Sequence, residues 1–432
     1  MNWTEIAILV LTFVVLLGIG VPVAYSIGLS SLVTILITMD PVIAFTTLAQ
    51  RMATGIDSFS LLAIPFFVLA GQLMNKGGIA SRLIDLARAM VGPLPGGLAF
   101  INILACMLFG AISGSSVAAA SAIGGFMVPR MEKEGYDKAF GAAVNLTSAS
   151  TGLVIPPSNI LIVFSLASGG VSIAALFLAG YIPGLLIGLA LMIVAGVVAL
   201  KKGYKSNETT GVKIFFKSFF GALPSLLLLV IVIGGIIAGI FTATEASAIA
   251  VLYTLILSMV VYKEVKYKDL PRILLDTTLT TTIVLMLVAT SMGMSWVLSY
   301  ENIPQGVSDF LLNVSDNPVV ILLIINLLLL AVGTFMDMTP AVLIFTPIFL
   351  PVVVQMGMNP IHFGIVMVMN LCIGLCTPPV GSLLFVGCSV AGLSIQKVLK
   401  PLLPLFLAMI AVLLLVTYVP ALSLWLPELF GY

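Results

Sequence analysis

Apolar residues in this chain form long blocks interrupted at a few polar points. Residues 89–129, 139–200 and 338–396 contain no Asp, Glu, Lys or Arg. A spanning α-helix needs about 20 apolar residues to cross a hydrocarbon core about 30 Å thick. The pattern predicts spans over 4–20, 22–38, 58–75, 138–167, 172–200, 218–240, 243–262, 274–299, 361–390 and 398–420. Two further apolar regions, 95–128 and 317–350, the second with Asp337 as its one ionisable residue, fit poorly as single spans. The first is interrupted by Gly110-Ala111-Ile112-Ser113-Gly114-Ser115-Ser116, and the second by Gly333-Thr334-Phe335-Met336-Asp337-Met338-Thr339-Pro340. Each leaves two apolar arms of about 15 residues, which at about 1.5 Å per residue reach about 22 Å and stop short of crossing. Both are expected to be re-entrant helical hairpins. Backbone turning at membrane depth survives only when covered by protein or facing a water-filled cavity.

A prolyl-prolyl pair occurs twice, in Gly152-Leu153-Val154-Ile155-Pro156-Pro157-Ser158-Asn159 and in Gly374-Leu375-Cys376-Thr377-Pro378-Pro379-Val380-Gly381. The two copies are 222 residues apart, and the same offset pairs Pro129 with Pro351, Gly135 with Gly357, Gly152 with Gly374 and Ser172 with Ser394. The pairs fall inside the spans at 138–167 and 361–390, which should therefore be broken helices. Paired interruptions in two halves point to a secondary-transporter site.

Two segments have a different period. In 79–91, Arg82, Asp85 and Arg88 share one helix face and apolar residues the other, which suits a helix lying at the interface. Residues 303–314 are its expected outer counterpart. Five crossings per half is an odd number, so the halves should run in opposite senses. The expected fold is an all-α polytopic membrane protein of two inverted-topology repeats, each with a re-entrant hairpin and a broken helix. Residues 1–200 form the first repeat, 201–217 a basic cytoplasmic linker and 218–432 the second. Flat arms bracketing a hairpin and a broken helix would let that unit move as a body, an elevator-type architecture.

Composition agrees. Hydrophobic residues make up 61% and charged residues 8% of the 432, against about 25% charged in soluble proteins. The stretches 76–95, 129–138, 201–217, 263–273 and 391–400 hold 17 of the 18 Lys and Arg, and Arg51 alone falls outside. The positive-inside rule puts these stretches in the cytoplasm, so a cytoplasmic-membrane location is expected. No basic patch with interleaved aromatics suggests nucleic acid. The N-terminus lacks a basic region and a small-residue cleavage site, so the first apolar segment is expected to remain. The single His362 and the scattered Cys106, Cys372, Cys376 and Cys388 offer no metal cluster; buried thiols are the better reading.

The segment Gly55-Ile56-Asp57-Ser58-Phe59-Ser60-Leu61-Leu62-Ala63-Ile64-Pro65-Phe66-Phe67-Val68-Leu69-Ala70-Gly71 resembles the signature of the large membrane subunit of tripartite ATP-independent periplasmic (TRAP) transporters. The Gly-Ser-Ser at 114–116, Val-Ile-Pro-Pro-Ser at 154–158 and Asp-Met-Thr-Pro at 337–340 are similar to that family too. The resemblance covers essentially the whole chain. It implies sodium-driven uptake of a carboxylated solute, sialic acid first and a C4-dicarboxylate next. It also implies a small four-helix membrane subunit, expected to be a separate chain, and a periplasmic solute-binding protein.

Sodium prefers carbonyl and hydroxyl oxygens, as other hard cations do. Proline removes an N–H and clashes with the carbonyl four residues back, so the breaks should free carbonyls in 152–155 and 374–377. Two or more sodium ions are expected. Candidate ligands in the first half are Ser113, Gly114, Ser115, Ser150, Thr151, Gly152, Ile155 and Pro156. In the second half they are Gly333, Thr334, Asp337, Gly374, Cys376, Thr377 and Pro378. For the solute, with no Lys or Arg in these stretches, the candidates are Ser115, Ser116, Pro157, Ser158, Asn159, Asp337 and Thr339. Exposed N–H groups at helix starts can hold an anion. Asp337 is the only ionisable group of the second hairpin, and an isolated acid at depth points to function. It should face solute hydroxyls or a cation, or else cap its helix. Glu245 has capping-box spacing from Thr242. A standalone sodium/dicarboxylate symporter is the alternative. An intramembrane enzyme would need a nucleophile–base pair or a metal cluster, and neither is evident.

Overall fold

The computed structural model describes residues 3–204, 211–315, 317–378 and 381–432. Pro379 and Val380, the end of the second prolyl motif, and Lys205 lie outside the described residues.

Every regular element among the described residues is helical. The first group is α1 (Trp3–Gly18), α2 (Val23–Thr38), α3 (Pro41–Ile56), α4 (Ala63–Lys76) and α5 (Ile79–Val91). Next come α6 (Gly97–Ser113), α7 (Ser116–Lys133), α8 (Lys138–Thr151), α9 (Asn159–Ala167) and α10 (Ile173–Lys202). The second half holds α11 (Val212–Ile237), α12 (Ala243–Ile256), α13 (Leu270–Tyr300), α14 (Ile303–Val314) and α15 (Pro318–Phe335). It ends with α16 (Met338–Gln355), α17 (Pro360–Gly374), α18 (Ser382–Ala391), α19 (Ile395–Tyr418) and α20 (Ala421–Leu429). Among the described residues, eight helices are long and apolar enough to cross a membrane.

The exterior of these helices is apolar in a way water would not tolerate. On α10, Leu185, Leu189, Ile193 and Val197 recur every fourth residue and are exposed, while Ile187, Leu191, Ala195 and Ala199 of the same helix are fully buried. One face therefore packs on protein and the other meets hydrocarbon. The chain is a multi-pass membrane protein.

Regions 95–128 and 317–350 each hold two consecutive helices, longer than the expected arms. The arms α6 and α7 have 17 and 18 residues, and α15 and α16 have 18 each. Pro129 lies inside α7, and Pro347 and Pro351 inside α16, so both arms continue through proline. Length alone thus fails to separate these arms from spans. Both broken helices form as well. α8 stops at Thr151 and resumes as α9, and α17 stops at Gly374 and resumes as α18. The Pro156–Pro157 bond is cis. The amphipathic α5 and α14 occupy the expected positions. The apolar pattern places no element at 41–56 or 421–429, where α3 and α20 form. Asp40 caps α3 by accepting the Val42 N–H at 2.9 Å, with Pro41 at the first helical position.

The helices pack continuously rather than in separate groups: α4 packs on α12, α2 and α3 on α13, α5 on α6, and α16 on both α13 and α14. The sequence halves interlock: α9 packs on α16, α18 on α7, and α8 on α19.

Candidate functional site

The breaks are held by glycine contacts that match in the two halves. A β-carbon on Gly152 would lie 2.6 Å from the Gly110 Cα, and one on Gly374 would lie 2.5 Å from the Gly333 Cα. In each half the first hairpin arm therefore meets the end of the broken helix backbone to backbone. Around the first break, Pro156 and Pro157 have no N–H to close on the carbonyls of Gly152 and Leu153. The Ser158 hydroxyl donates to the Leu153 carbonyl at 2.5 Å. In the second half, the Gly381 N–H donates to the Thr334 carbonyl at 2.9 Å and ties the hairpin to the start of α18.

The hydroxyls near both breaks mostly donate to their own turns. Ser150 and Thr151 both donate to the Thr147 carbonyl at 2.9 Å. Thr334 donates to Ala331 at 2.7 Å and Thr377 to Ile373 at 2.8 Å. A hydroxyl used in this way keeps lone pairs for a cation. Ser150, Thr151, Gly152, Ile155, Pro156, Gly333, Gly374 and Cys376 are all buried in the break regions, and the Cys376 thiol points at the Leu146 carbonyl at 3.6 Å. Pro378 is exposed and borders a separate groove with Leu399 and Phe406. Pro157 lies against Phe67, Ala70, Leu228 and Val232, away from the cavity described next.

A cavity of about 520 Å³ brings the remaining candidates together. Ser113, Gly114, Ser115 and Ser116 of the first tip, Asn159 and Ile160 of α9, and Asp337, Met338 and Thr339 of the second tip all line it. Leu153 and Leu375, one from each break and 222 residues apart, are also in its wall. Ser115 and Asp337 stand at the same 222-residue offset, each at the N-cap position of a second hairpin arm. Ser115 accepts the Ala118 N–H at 3.2 Å. Asp337 makes no capping bond with its side chain and is exposed to the cavity. Gly114 turns the first tip with φ +61°, and a β-carbon there would come 3.1 Å from Asn159 Nδ2.

The sequence pattern missed one wall. Ile64, Val68, Gly71, Gln72 and Asn75 of α4 and Thr280 and Val284 of α13 close the cavity. A β-carbon on Gly71 would lie 2.7 Å from the Ser113 carbonyl oxygen, so α4 presses directly on the first tip. The spacing 64, 68, 71, 72, 75 is a helical stripe that could have signalled this face. Glu245 is not at the site. It completes a capping box with Thr242, accepting its N–H at 2.8 Å and donating its own N–H to the Thr242 hydroxyl at 3.2 Å.

The chain resembles in fold the YdaH transporter of Alcanivorax borkumensis, with a TM-score of 0.64 at 14% identity over 90% of this chain and 88% of that one. The family model of the DctM component of the tripartite ATP-independent periplasmic transporters matches residues 10–422, and the chain belongs to that family. It is 58% identical to the protein YgiK of Salmonella typhimurium, covering 97% of this chain and 96% of that one. The C4-dicarboxylate TRAP transporter large permease DctM of Rhodobacter capsulatus is 40% identical, with 95% and 96% covered. The sialic acid TRAP transporter large permease SiaM of Vibrio cholerae is also 40% identical, with 96% and 97% covered.

Proposed function

We propose that this chain is the transport-path subunit of a sodium-coupled, binding-protein-dependent importer of a carboxylated solute. The observation that carries this reading is the cavity shared by both hairpin tips and the start of α9. The solute carboxylate is held at the N-terminus of α9, where Ser158 and Asn159 begin a helix with unspent N–H groups. Sodium ions take carbonyl and hydroxyl oxygens at the two glycine-bound breaks, one set from Ser113, Ser150, Thr151 and Gly152, the other from Thr334, Gly374 and Thr377. Asp337 balances cation charge or accepts from solute hydroxyls.

The basic stretches set the cytoplasmic side, so the two halves run in opposite senses across the membrane. The hairpins, broken helices, α10 and α19 travel together, and α5 and α14 serve as arms against the remaining helices, an elevator motion. A small membrane subunit and a periplasmic binding protein complete the system. Sialic acid is the favoured solute and a C4-dicarboxylate the next; relatives named for each are equally similar, at 40% identity.

The test is reconstitution of the chain with its small subunit in vesicles, followed by uptake of labelled N-acetylneuraminate and succinate. Uptake should need both an inward sodium gradient and added binding protein. Equal uptake without the gradient would exclude sodium coupling. Equal uptake without binding protein would favour a standalone symporter.

A further inference from the structure

The two walls of the cavity differ in chemistry, and the wall on α4 bears on which solutes fit. One wall belongs to the hairpins and α9. The other belongs to α4 and α13, which are joined by the ion pair Lys76–Asp276 at 3.5 Å just past the cavity's end. Gln72 and Asn75 sit three residues apart on the α4 face, and Thr280 stands across from them on α13. The Thr280 hydroxyl already donates to the Asp276 carbonyl at 2.9 Å. The amides of Gln72, Asn75 and, on the opposite wall, Asn159 have no side-chain hydrogen-bond partner among the described residues. Each amide offers two donors and an acceptor oxygen. Three such groups around one cavity form a set of neutral hydrogen-bonding sites on both sides.

We infer that Gln72 and Asn75 are specificity-determining residues that bind the hydroxylated portion of a polyhydroxylated monocarboxylate, with its carboxylate at the start of α9. This rests on the reading of the cavity as the solute path. The lining has no Lys or Arg, and its one ionisable residue is Asp337. Among the described lining residues a second carboxylate on the solute would meet amides or an acid and no basic side chain. A chain of hydroxyls instead matches groups that both donate and accept. The size agrees: 520 Å³ lies within the about 300–1,000 Å³ of pockets that enclose drug-sized ligands, and a four-carbon diacid would leave much of it empty. Because Gly71 lets α4 rest on the Ser113 carbonyl, the α4 segment that carries Gln72 packs beside the first tip. A solute touching both walls is therefore read by both.

The experiment measures binding to the full-length purified chain, with and without sodium, using N-acetylneuraminate, D-gluconate and succinate as probes. Gln72→Leu and Asn75→Leu keep bulk and remove the hydrogen-bonding groups; Gln72→Asn and Asn75→Gln keep the amide chemistry. We expect the Leu variants to weaken binding of the two hydroxylated acids by about tenfold each, the size of one or two lost hydrogen bonds. Succinate binding should change by less than about twofold on the same scale, and the amide-preserving variants should recover part of the loss. Folded Leu variants that bind all three probes as the wild type does would overturn the inference. So would an equal loss for succinate. A wild type that binds succinate with sodium and neither hydroxylated acid would overturn it too, while leaving the proposed function intact. Binding of the hydroxylated acids that ignores sodium would sink the coupling and leave the α4 assignment standing.

Discussion

At the scale of single residues, Asp337 differs most from its counterpart. At the equivalent position of the first tip, Ser115 caps its helix by accepting the Ala118 N–H. Asp337 occupies the same N-cap position, yet its side chain makes no capping bond and faces the cavity. Asn is as good an N-cap as Asp, so Asp337→Asn keeps any capping value and removes only the charge. If the carboxylate serves a cation or solute hydroxyls, this variant should lower sodium-driven uptake by roughly ten- to a hundredfold, in line with the about 1.5–3 kcal/mol of a hydrogen bond to a charged group. The melting temperature should stay within a few degrees of wild type. Sodium-driven uptake at the wild-type rate by the folded variant would remove Asp337 from the mechanism. Thr242 and Glu245 make the contrast plain: there the carboxylate is consumed by capping, accepting both the Thr242 N–H and its hydroxyl proton.

At the scale of elements, the glycine pairs fix where each hairpin crosses its broken helix. The distances of 2.6 Å and 2.5 Å leave no room for a methyl group at Gly152 or Gly374, and the obstructing atoms are backbone, which cannot rotate away. Gly152→Ala and Gly374→Ala should each destabilise the protein by about 1–3 kcal/mol, the ordinary range for overpacking. Thermal unfolding in detergent would show this as a lower midpoint for both; an unchanged midpoint at either position would mean the crossing is looser than it looks. The duplicated motif made the breaks legible in the sequence, because proline leaves carbonyls without N–H partners wherever it sits. The hairpins were legible because their tips are polar within apolar stretches. Their ends were not: α7 and α16 run on past Pro129 and Pro351, each absorbing a lost hydrogen bond to the carbonyl four residues back. The α4 wall escaped notice because Gln72 and Asn75 sit in an ordinary span pattern. Only Gly71's contact with the Ser113 carbonyl, between residues far apart in sequence, brings them to the site. α3 escaped because its first turn is set by Asp40 and Pro41, and its side chains are largely exposed, with Ala44, Leu48 and Gly55 the buried exceptions.

At the scale of the molecule, one corner joins three helices through acids. Glu5 of α1 is only 7% exposed, and Glu301 follows the last residue of α13. Thr38 of α2 donates to Glu301 at 3.3 Å. Burial, then the hydrogen bond and negative charge of Glu5, push the Glu301 carboxyl up to about 7. Two carboxyls can hydrogen-bond only if one carries a proton. The folded chain therefore holds that proton more tightly than the unfolded chain does, where a Glu titrates near about 4.3. A raised pKa stabilises the fold fully below the unfolded value, and that contribution is lost as pH rises through the folded one. The α1–α2–α13 corner should thus be tightest near pH 4 and loosen between about pH 4.3 and 7 and beyond. Arg51 of α3 does not offset this through an ion pair with Glu301; its guanidinium lies over the Trp296 ring, 5.3 Å from the centroid. Melting temperature measured from pH 5 to 8 should fall for the wild type. Glu301→Gln, which keeps the hydrogen bond and cannot ionise, should flatten that part of the curve and leave the protein more stable than wild type at pH 8. A variant whose pH profile tracks the wild type would place the pH dependence elsewhere. A flat wild-type profile would show that the two carboxyls do not share a proton at this corner. The outcome matters for transport because α13 also supplies Thr280 and Val284 to the cavity. Loosening its far end changes how firmly the α4–α13 wall is held.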